Sequence, residues 1–226
     1  MKLRAEFFMK ILAIEFSSEQ RSVAVAESRE GSLPKSLGFA TETGERSTHA
    51  FALIETALNH AGYDRDQVEC IAIGIGPGSY AGIRMSIAIS QGWQNACGIK
   101  TIGISSVECM AMQAQRENLL GQINLAIDAQ HNEFYLARYE IGPGTPKEIQ
   151  PLHLVQKSEI ESRMARGETV AGPNLQQHFP NAKNLFPDAS LLAILASNRE
   201  NFVPAEKLEP IYLRETAFVK ATPLFL

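Results

Sequence analysis

The chain has 226 residues, of which 45% are apolar and 20% are charged, and its formal net charge is −4. This composition is typical of a folded globular protein and excludes a chain that is disordered throughout. The acidic balance argues against a surface that grips polyanions along its whole extent, because such proteins carry an excess of Lys and Arg. A chain of this length predicts one large domain or two small ones.

The first eighteen residues, MKLRAEFFMKILAIEFSS, do not predict a secretory signal. Glu6, Lys10 and Glu15 interrupt the uncharged core that such a signal needs. No run of apolar residues approaches the length of a membrane span, and the three cysteines form no C-x-x-C pair, as expected in a reducing compartment. We therefore expect a cytoplasmic protein in which residues 1–9 form an N-terminal tail.

The first half predicts alternating strands and helices. Three successive strands, at 10–18, 21–28 and 36–43, predict an antiparallel meander. A helix is expected to begin at Ser47, as its N-cap, and to stop at Gly62. After it come a buried strand at 69–76, a helix at 82–98 and a strand at 101–105.

The second half predicts a similar succession. Its expected elements are a helix at 106–118, a hairpin of 122–130 and 133–142, a strand near 148–155, a short helix from Ser158, a strand at 168–172 and a helix near 189–199. The segment 209–220 has no clear period, so no element is predicted there.

An internal repeat links the two halves. LAIEFSSEQRSVAVAE at 12–27 aligns with LAIDAQHNEFYLARYE at 125–140 without a gap, at a constant offset of 113, so that Glu15 matches Asp128. One explanation is chance similarity between two buried hairpins. The other is a duplicated domain, in which each half opens with a β-hairpin whose turn follows an acidic residue. Duplication is the organisation of ATPases that clamp a nucleotide between two related halves.

The stretch GIGPGSYAGIR, from Gly74 to Arg84, lies between a predicted strand and a predicted helix. It matches neither the Walker A pattern nor the Rossmann glycine pattern. It does contain the parts of an anion site, because a tight glycine turn and Ser79 precede the N-terminus of a helix. The alternative is a strand-to-helix turn in which glycine only permits close packing. These residues alone leave both interpretations open.

The same stretch, with SIAISQG after it, resembles the G-x-GPGS-[FY]-T-G-[LIV]-R…QG motif of the TsaB (YeaZ) family. ILAIEFSSEQRSVAVAE, IDAQHNEFYLARY and EPIYLRETAFVK resemble further motifs of that family, in the same order. The resemblance implies an α/β fold of two duplicated subdomains, with mixed sheets flanked by helices, in the superfamily of actin-like ATPases, sugar kinases and Hsp70 (ASKHA). We place the N-terminal subdomain at 10–105 and the C-terminal one at 106–226, with the last residues packing back on the first.

The resemblance also implies a function. TsaB-type proteins belong to the bacterial machinery that makes N6-threonylcarbamoyladenosine at position 37 of tRNAs reading ANN codons. The implied role is a scaffold, without catalysis of its own, that binds and activates TsaD. TsaC makes threonylcarbamoyl-adenylate, and TsaE supports turnover in a ternary complex. The implied partners are TsaD, TsaE and a second copy of the chain, with tRNA contacted indirectly; ATP and Mg²⁺ serve the partner subunits, and this chain needs no cofactor.

Two departures from the family pattern affect the expected nucleotide site. Glu15 stands where the family usually has Asp, and Ala81 where it usually has Thr. The longer carboxylate would displace a bound metal or phosphate, and Ala81 lacks a hydroxyl donor. We therefore expect a vestigial nucleotide site, with Glu15 and Asp128 facing each other across a cleft. Its residues would be Glu15, Gly76, Gly78, Ser79 and Asp128.

The helix after the glycine loop is the expected protein interface. Between Ile83 and Cys97 only Arg84 is charged, and a helix that is apolar all round must be covered all round. Burial within the domain is the alternative; the family pairs through helices of its first domain. The expected interface residues are His49, Leu53, Ala57, Arg84, Ile87, Gln91 and Trp93.

Two other functions are alternatives to the scaffold. An active nucleotide-binding enzyme of the same superfamily, a small kinase or ATPase, would need Glu15, Asp128 and Ser79 to hold a Mg-nucleotide. A glycoprotease-like metallopeptidase is less favoured, because no two of the five histidines are four residues apart and no G-x-S-x-G motif is present. We expect no metal site and no catalytic residue in this chain.

Overall fold

The computed structural model describes residues 8–29, 34–44 and 49–213. They form two five-stranded sheets. The strands are β1 Phe8–Glu15, β2 Gln20–Arg29, β3 Lys35–Thr43, β4 Cys70–Gly74, β5 Lys100–Ile104, β6 Gly121–Asp128, β7 Glu133–Ile141, β8 Lys147–Gln156, β9 Thr169–Gly172 and β10 Lys183–Asn184. The α-helices are α1 Ala50–Ala61, α2 Tyr80–Cys97, α3 Ser106–Arg116, α4 Lys157–Ala165 and α5 Ala189–Ser197.

The two sheets share one topology. The first has the order β3-β2-β1-β4-β5, and the second has the order β8-β7-β6-β9-β10 when read from the corresponding edge. In each, a hairpin supplies antiparallel strands on one side, and two parallel strands continue the other side. Equal strand order in consecutive halves is what a duplicated domain produces, so the predicted fold class is confirmed.

The repeat differs from the gapless alignment by one residue. Ile14 pairs with Val23, whereas Ile127, at the offset of 113, pairs with Tyr135, at an offset of 112. The stretch between the paired residues nearest the turn is thus one residue shorter in the second hairpin, where Asp128 pairs with Phe134, than in the first, where Glu15 pairs with Ser22. Three residues of the second turn, Gln130 to Asn132, have positive φ. Because side chains alternate along a strand, this slip reverses the faces of β7 relative to the gapless alignment.

Helices cover the sheets in layers. Helices α1 and α2 pack on one face of the first sheet, around a core that includes Ile14, Val23 and Ile73. Its other face is covered by α5, whose Leu192 is fully buried, and by Cys109 of α3. The opposite side of α3 packs on one face of the second sheet, and α4 packs on the other face of that sheet. Helix α3 is therefore the layer that both sheets share.

Most sequence-predicted elements are confirmed, with shifted ends. Gly62 ends α1 with left-handed dihedral angles, as expected. The predicted N-cap Ser47 lies outside the described residues, and α1 begins at Ala50. Residues 8 and 9, assigned to the tail, are the first of β1. The boundary at 105 stays a prediction, although α5 of the second half lies on the first sheet and Ile211 donates its N–H to the Ile75 carbonyl.

Helix α5 makes the first sheet depend on the second half, which gives a stability prediction. Leu192→Ala removes a fully buried side chain between the halves. We expect about 2–5 kcal/mol of destabilisation and a single unfolding transition in urea. Leu120→Ala, which truncates an exposed side chain, is the control and should change the free energy of unfolding by less than about 0.5 kcal/mol. Two separate transitions would contradict the shared core.

Candidate functional sites: a polar cleft and an apolar groove

The glycine loop packs against the turn of the first hairpin. The Ser79 N–H donates to the Ser17 carbonyl at 2.7 Å, and the Ser79 Oγ accepts from the Gly82 N–H at 3.3 Å as the N-cap of α2. A Cβ at Gly78 would lie 2.1 Å from the Ser17 carbonyl oxygen, and one at Gly82 would lie 2.0 Å from that of Phe16. These glycines let two backbones touch. Close packing therefore accounts for them, and the Ser79 amide is already committed to a protein oxygen.

Glu15 ends β1 and is fully buried. Its Oε1 accepts from the Ser17 N–H at 2.8 Å, and its Oε2 accepts from the Ser106 Oγ at 3.0 Å. Ser106, the first residue of α3, also accepts the Gly76 N–H on the same oxygen and donates its own N–H to the Gly76 carbonyl. One carboxylate thus joins the first hairpin, the glycine loop and the helix shared by the two sheets.

The pKa of Glu15 is raised above its ordinary value. Burial is the main cause, and the negative charge of Asp188 adds to it, while hydrogen bonds from Ser17 and Ser106 act in the opposite direction. Asp188 itself pairs with Arg116 at 3.1 Å. The cost of burying the carboxylate is therefore only partly offset by its hydrogen bonds.

Asp128 has the equivalent place in the second half but faces solvent. Its Oδ1 accepts from the Gln130 N–H at 2.7 Å, as Glu15 does from the residue two positions on. Its Oδ2 lies 3.3 Å from the His178 Nε2. The two acids therefore share a turn-capping bond. They do not face each other across a cleft, because Glu15 is enclosed behind the first hairpin.

A polar cleft of about 440 Å³ lies between the first hairpin and the second half. Gly78, Ser79 and Asp128 of the expected nucleotide site line it, whereas Glu15 and Gly76 do not. Sequence reasoning missed several residues of its wall, although some of them, such as Ser17, Tyr80 and Tyr135, lie within the family motifs. The missed residues are Ser17, Ser18, Glu19, Tyr80, Tyr135, Asn174, Gln177 and His178. Of the described residues that line this cleft, none is Lys or Arg, so a phosphate would meet the carboxylates of Glu19 and Asp128 without a basic side chain.

An apolar groove of about 800 Å³ runs between α1 and α2 on the outside of the first sheet. Of the expected interface residues, His49 and Trp93 line it. Sequence reasoning did not name Phe51, which is 68% exposed. The groove is lined by His49, Ala50, Phe51, Ala52, Ile54, Arg65, Met85, Ala88, Ile89, Gly92, Trp93, Ala96 and Cys97.

The other expected interface residues lie elsewhere. Leu53, Ala57 and Ile87 are wrong as surface residues, because they point into the core beneath the helices. The Gln91 Nε2 donates to the Ala205 carbonyl on the opposite side of α2, at 3.2 Å. Arg84 is exposed and donates to the Tyr80 hydroxyl at 3.1 Å. An interface on α1 and α2 stays a prediction, and of its seven expected residues only His49 and Trp93 line the groove.

Two further features limit the chemistry of the described residues. They contain no group of three or more His, Cys, Asp or Glu side chains placed to hold a metal ion. None of their helices is both long enough and apolar enough to cross a membrane.

Two glycines of the α2 region give a matched prediction. Gly78→Ala places a Cβ against the Ser17 carbonyl at a φ of +147°, so we expect a loss of more than about 2 kcal/mol in the free energy of unfolding. Gly92→Ala meets nothing within 4 Å inside a helix, and we expect a gain of about 0.5–1 kcal/mol. Equal effects in chemical denaturation would contradict the packing role of Gly78.

The raised pKa of Glu15 predicts a pH dependence of stability. The folded state holds the proton up to a higher pH than the unfolded state, so this group lowers stability as pH rises from the ordinary carboxyl pKa through the raised one. Glu15→Gln removes that contribution. We expect the stability difference, variant minus wild type, to increase with pH between 4 and 8. If the free energies of unfolding of the variant and the wild type, measured in urea, changed in parallel with pH, the raised pKa of Glu15 would be contradicted.

Comparison with known proteins agrees with this architecture. A sequence model of the family described as TsaD, tRNA N6-adenosine threonylcarbamoyltransferase, matches residues 43–206. The tRNA threonylcarbamoyladenosine biosynthesis protein TsaB of Escherichia coli K12 is 29% identical, covering 95% of this chain and 99% of that protein. TsaB of Haemophilus influenzae is 25% identical, covering 95% and 98%.

The solved structure of YeaZ from Pseudomonas aeruginosa aligns with a TM-score of 0.73 at 26% identity, covering 91% of this chain and all of that one. A second P. aeruginosa structure, described as similar to the peptidase YeaZ, aligns with a TM-score of 0.76 at the same identity and coverage. These matches span the glycine loop, both hairpins and both sheets. The chain therefore belongs to the TsaB (YeaZ) family of tRNA threonylcarbamoyladenosine biosynthesis proteins, within the group that the TsaD model describes.

Proposed function

We propose that this chain is the non-catalytic scaffold subunit that binds TsaD and holds it in an active arrangement. In this role TsaD transfers threonylcarbamoyl from threonylcarbamoyl-adenylate to N6 of adenosine 37. The chain pairs with TsaD or with a second copy of itself, joins TsaE in a ternary complex, and works in the cytoplasm. It contributes no cofactor site, and ATP and Mg²⁺ act in the partner subunits.

The observation that carries the proposal is the apolar groove between α1 and α2. Phe51 is 68% exposed, and Ala88, Gly92 and Ala96 present small side chains that allow another helix to approach closely. A contiguous apolar surface of this kind on a globular protein marks a binding site. Aromatic anchors among small residues, with little charge, are typical of the centre of a protein interface.

The rim of the groove indicates how a partner is oriented. Arg65 and His49 stand at its edge, and His49 Nδ1 lies 3.2 Å from the Glu42 carboxylate. Charges at a rim affect orientation and association rate more than affinity. The partner surface we propose therefore has an apolar helical ridge with an acidic group facing Arg65.

The cleft supports the scaffold over an active nucleotide enzyme. Glu15 is enclosed, its two oxygens are hydrogen-bonded to Ser17 and Ser106, and the Ser79 amide is bonded to Ser17. A Mg-nucleotide site of this superfamily would need those groups turned toward the ligand. The lining of the cleft supplies carboxylates where phosphates would lie.

Ala88 provides the sharpest test of the groove. Ala88→Glu places a charge in the apolar interface, whereas Asn95→Glu places the same charge on the same helix outside the groove. We expect Ala88→Glu to weaken TsaD binding at least 100-fold in calorimetry, since an unpaired charge would be desolvated. Because both positions are exposed, we expect both substitutions to leave the melting temperature of the chain nearly unchanged.

The functional readout is mass spectrometry of nucleosides from tRNA incubated with TsaC, TsaD, TsaE, threonine, bicarbonate and ATP. Modified adenosine should form with the wild-type chain and with Asn95→Glu, and should fall with Ala88→Glu at limiting concentrations. Full activity of Ala88→Glu, or no dependence on this chain while TsaD is active with another TsaB, would reject the proposal.

A further inference from the structure

Two exposed tyrosines and an arginine form a patch beside the polar cleft, which Tyr80 lines. The rings of Tyr80 and Tyr212 stack with centroids 5.6 Å apart and planes 26° apart. They are 58% and 41% exposed. The Arg84 guanidinium lies 5.3 Å from the Tyr80 ring centroid and donates to its hydroxyl. We call these three residues the stacking patch.

The patch has the chemistry that receives an unstacked nucleobase. Aromatic rings and guanidinium planes offer flat faces on which bases stack, and this mode is typical of single-stranded RNA recognition. Tyr80 also lines the polar cleft, where Ser18, Asn174 and Gln177 offer hydroxyl and amide groups. A base stacked on the patch could therefore present its edge to hydrogen-bonding groups inside the cleft.

Resting on the proposed scaffold function, we propose that the stacking patch binds an unstacked base of the RNA substrate while the catalytic partner occupies the groove. Tyr80 is the first residue of α2, and helical periodicity places Tyr80 and Arg84 on the same face as Gln91, away from the residues that line the groove. A partner in the groove would therefore leave the patch open to RNA.

The surroundings favour a base over a protein side chain. Tyrosine and arginine also occur at protein interfaces, but there they lie in well-packed, desolvated pockets. Here the neighbours on the cleft side are Asp128, Gln177 and His178, which an apolar protein contact would desolvate at a cost. The patch holds one cation, and the chain has a net charge of −4, so stacking rather than phosphate attraction would supply the contact.

The test uses the reconstituted complex of this chain with TsaD and TsaE, and an anticodon stem-loop RNA with adenosine at position 37. Tyr212→Leu keeps apolar bulk but removes the π face, and we expect it to raise the Kd for the RNA about tenfold, the size of one base stack. Tyr212→Phe should keep the wild-type Kd. Leu120→Ala, an exposed apolar truncation outside the patch, is the control.

Two further measurements separate the patch from other roles. Tyr212→Leu should leave the slope of log Kd against log salt unchanged, because losing a base stack removes no phosphate contact. The affinity for TsaD, measured without RNA, should be the same for every patch variant. The affinity for TsaD should fall only in Ala88→Glu. The experiment therefore distinguishes failure of the proposed TsaD site in the groove from failure of the proposed RNA site at the patch.

Three results would overturn the inference. The first is an unchanged RNA Kd in Tyr212→Leu. The second is weaker TsaD binding in the patch variants, which would make the patch a protein contact. The third is binding of free adenosine or ADP to this chain as tightly as the stem-loop, abolished by Tyr212→Leu, which would make the ligand a free nucleoside or nucleotide.

Discussion

The buried carboxylate of Glu15 is the constraint on which the arrangement of the two halves depends. It accepts from the Ser17 N–H in the first hairpin and from the Ser106 hydroxyl at the start of α3. Since α3 packs on both sheets, a group that fixes its first residue also fixes the angle between the halves. There is no room for a side chain at Gly74, where a Cβ would lie 2.0 Å from the Glu15 Oε2. The extra methylene of Glu over Asp is what fills this space.

Duplication explains why two acids with one origin now differ. Glu15 and Asp128 are each the last residue of the first strand of their half, and each accepts a backbone N–H from the residue two positions later. The second oxygen of Asp128 reaches His178 at the cleft surface, whereas that of Glu15 is used within the protein. An ancestral clamp of two facing acids needs both to be open to a ligand. In this chain one of them, Glu15, is enclosed and bonds only protein groups.

Much of the fold follows from local sequence, and what does not follow is tertiary. Alternating and apolar runs predicted nearly every strand, and Gly62 predicted the end of α1. The sequence could not predict the one-residue shift in the pairing of β6 with β7. The shift depends on a turn with three left-handed residues, which is seen only once the strands are paired. Both hypotheses for the glycine loop fitted its sequence. The contacts of Gly78 and Gly82 with carbonyls far away in the chain favour close packing.

The interface prediction shows the same limit at the level of single side chains. An all-apolar helix indicates that every face is covered, but not by what. On α2, Ile87 faces the sheet, Gln91 and Gln94 bond the backbone of Ala205, and the side from Met85 to Ala96 lines the groove. Phe51 could have been singled out, because the apolar residues of α1 exceed what one face can bury.

Helix α2 connects these features physically. Its first turn is capped by Ser79 and bounds the cleft, its middle walls the groove, and its inner edge holds the chain near Ala205. A helix moves as a unit, since its backbone hydrogen bonds resist local bending. Because the Ser79 amide is bonded to Ser17, next to the bond that Glu15 accepts, a rotation of α2 caused by a partner in the groove would strain the Glu15 network. The same buried carboxylate thereby holds the groove in a defined shape, and rigidity of that kind lowers the entropic cost of binding a partner.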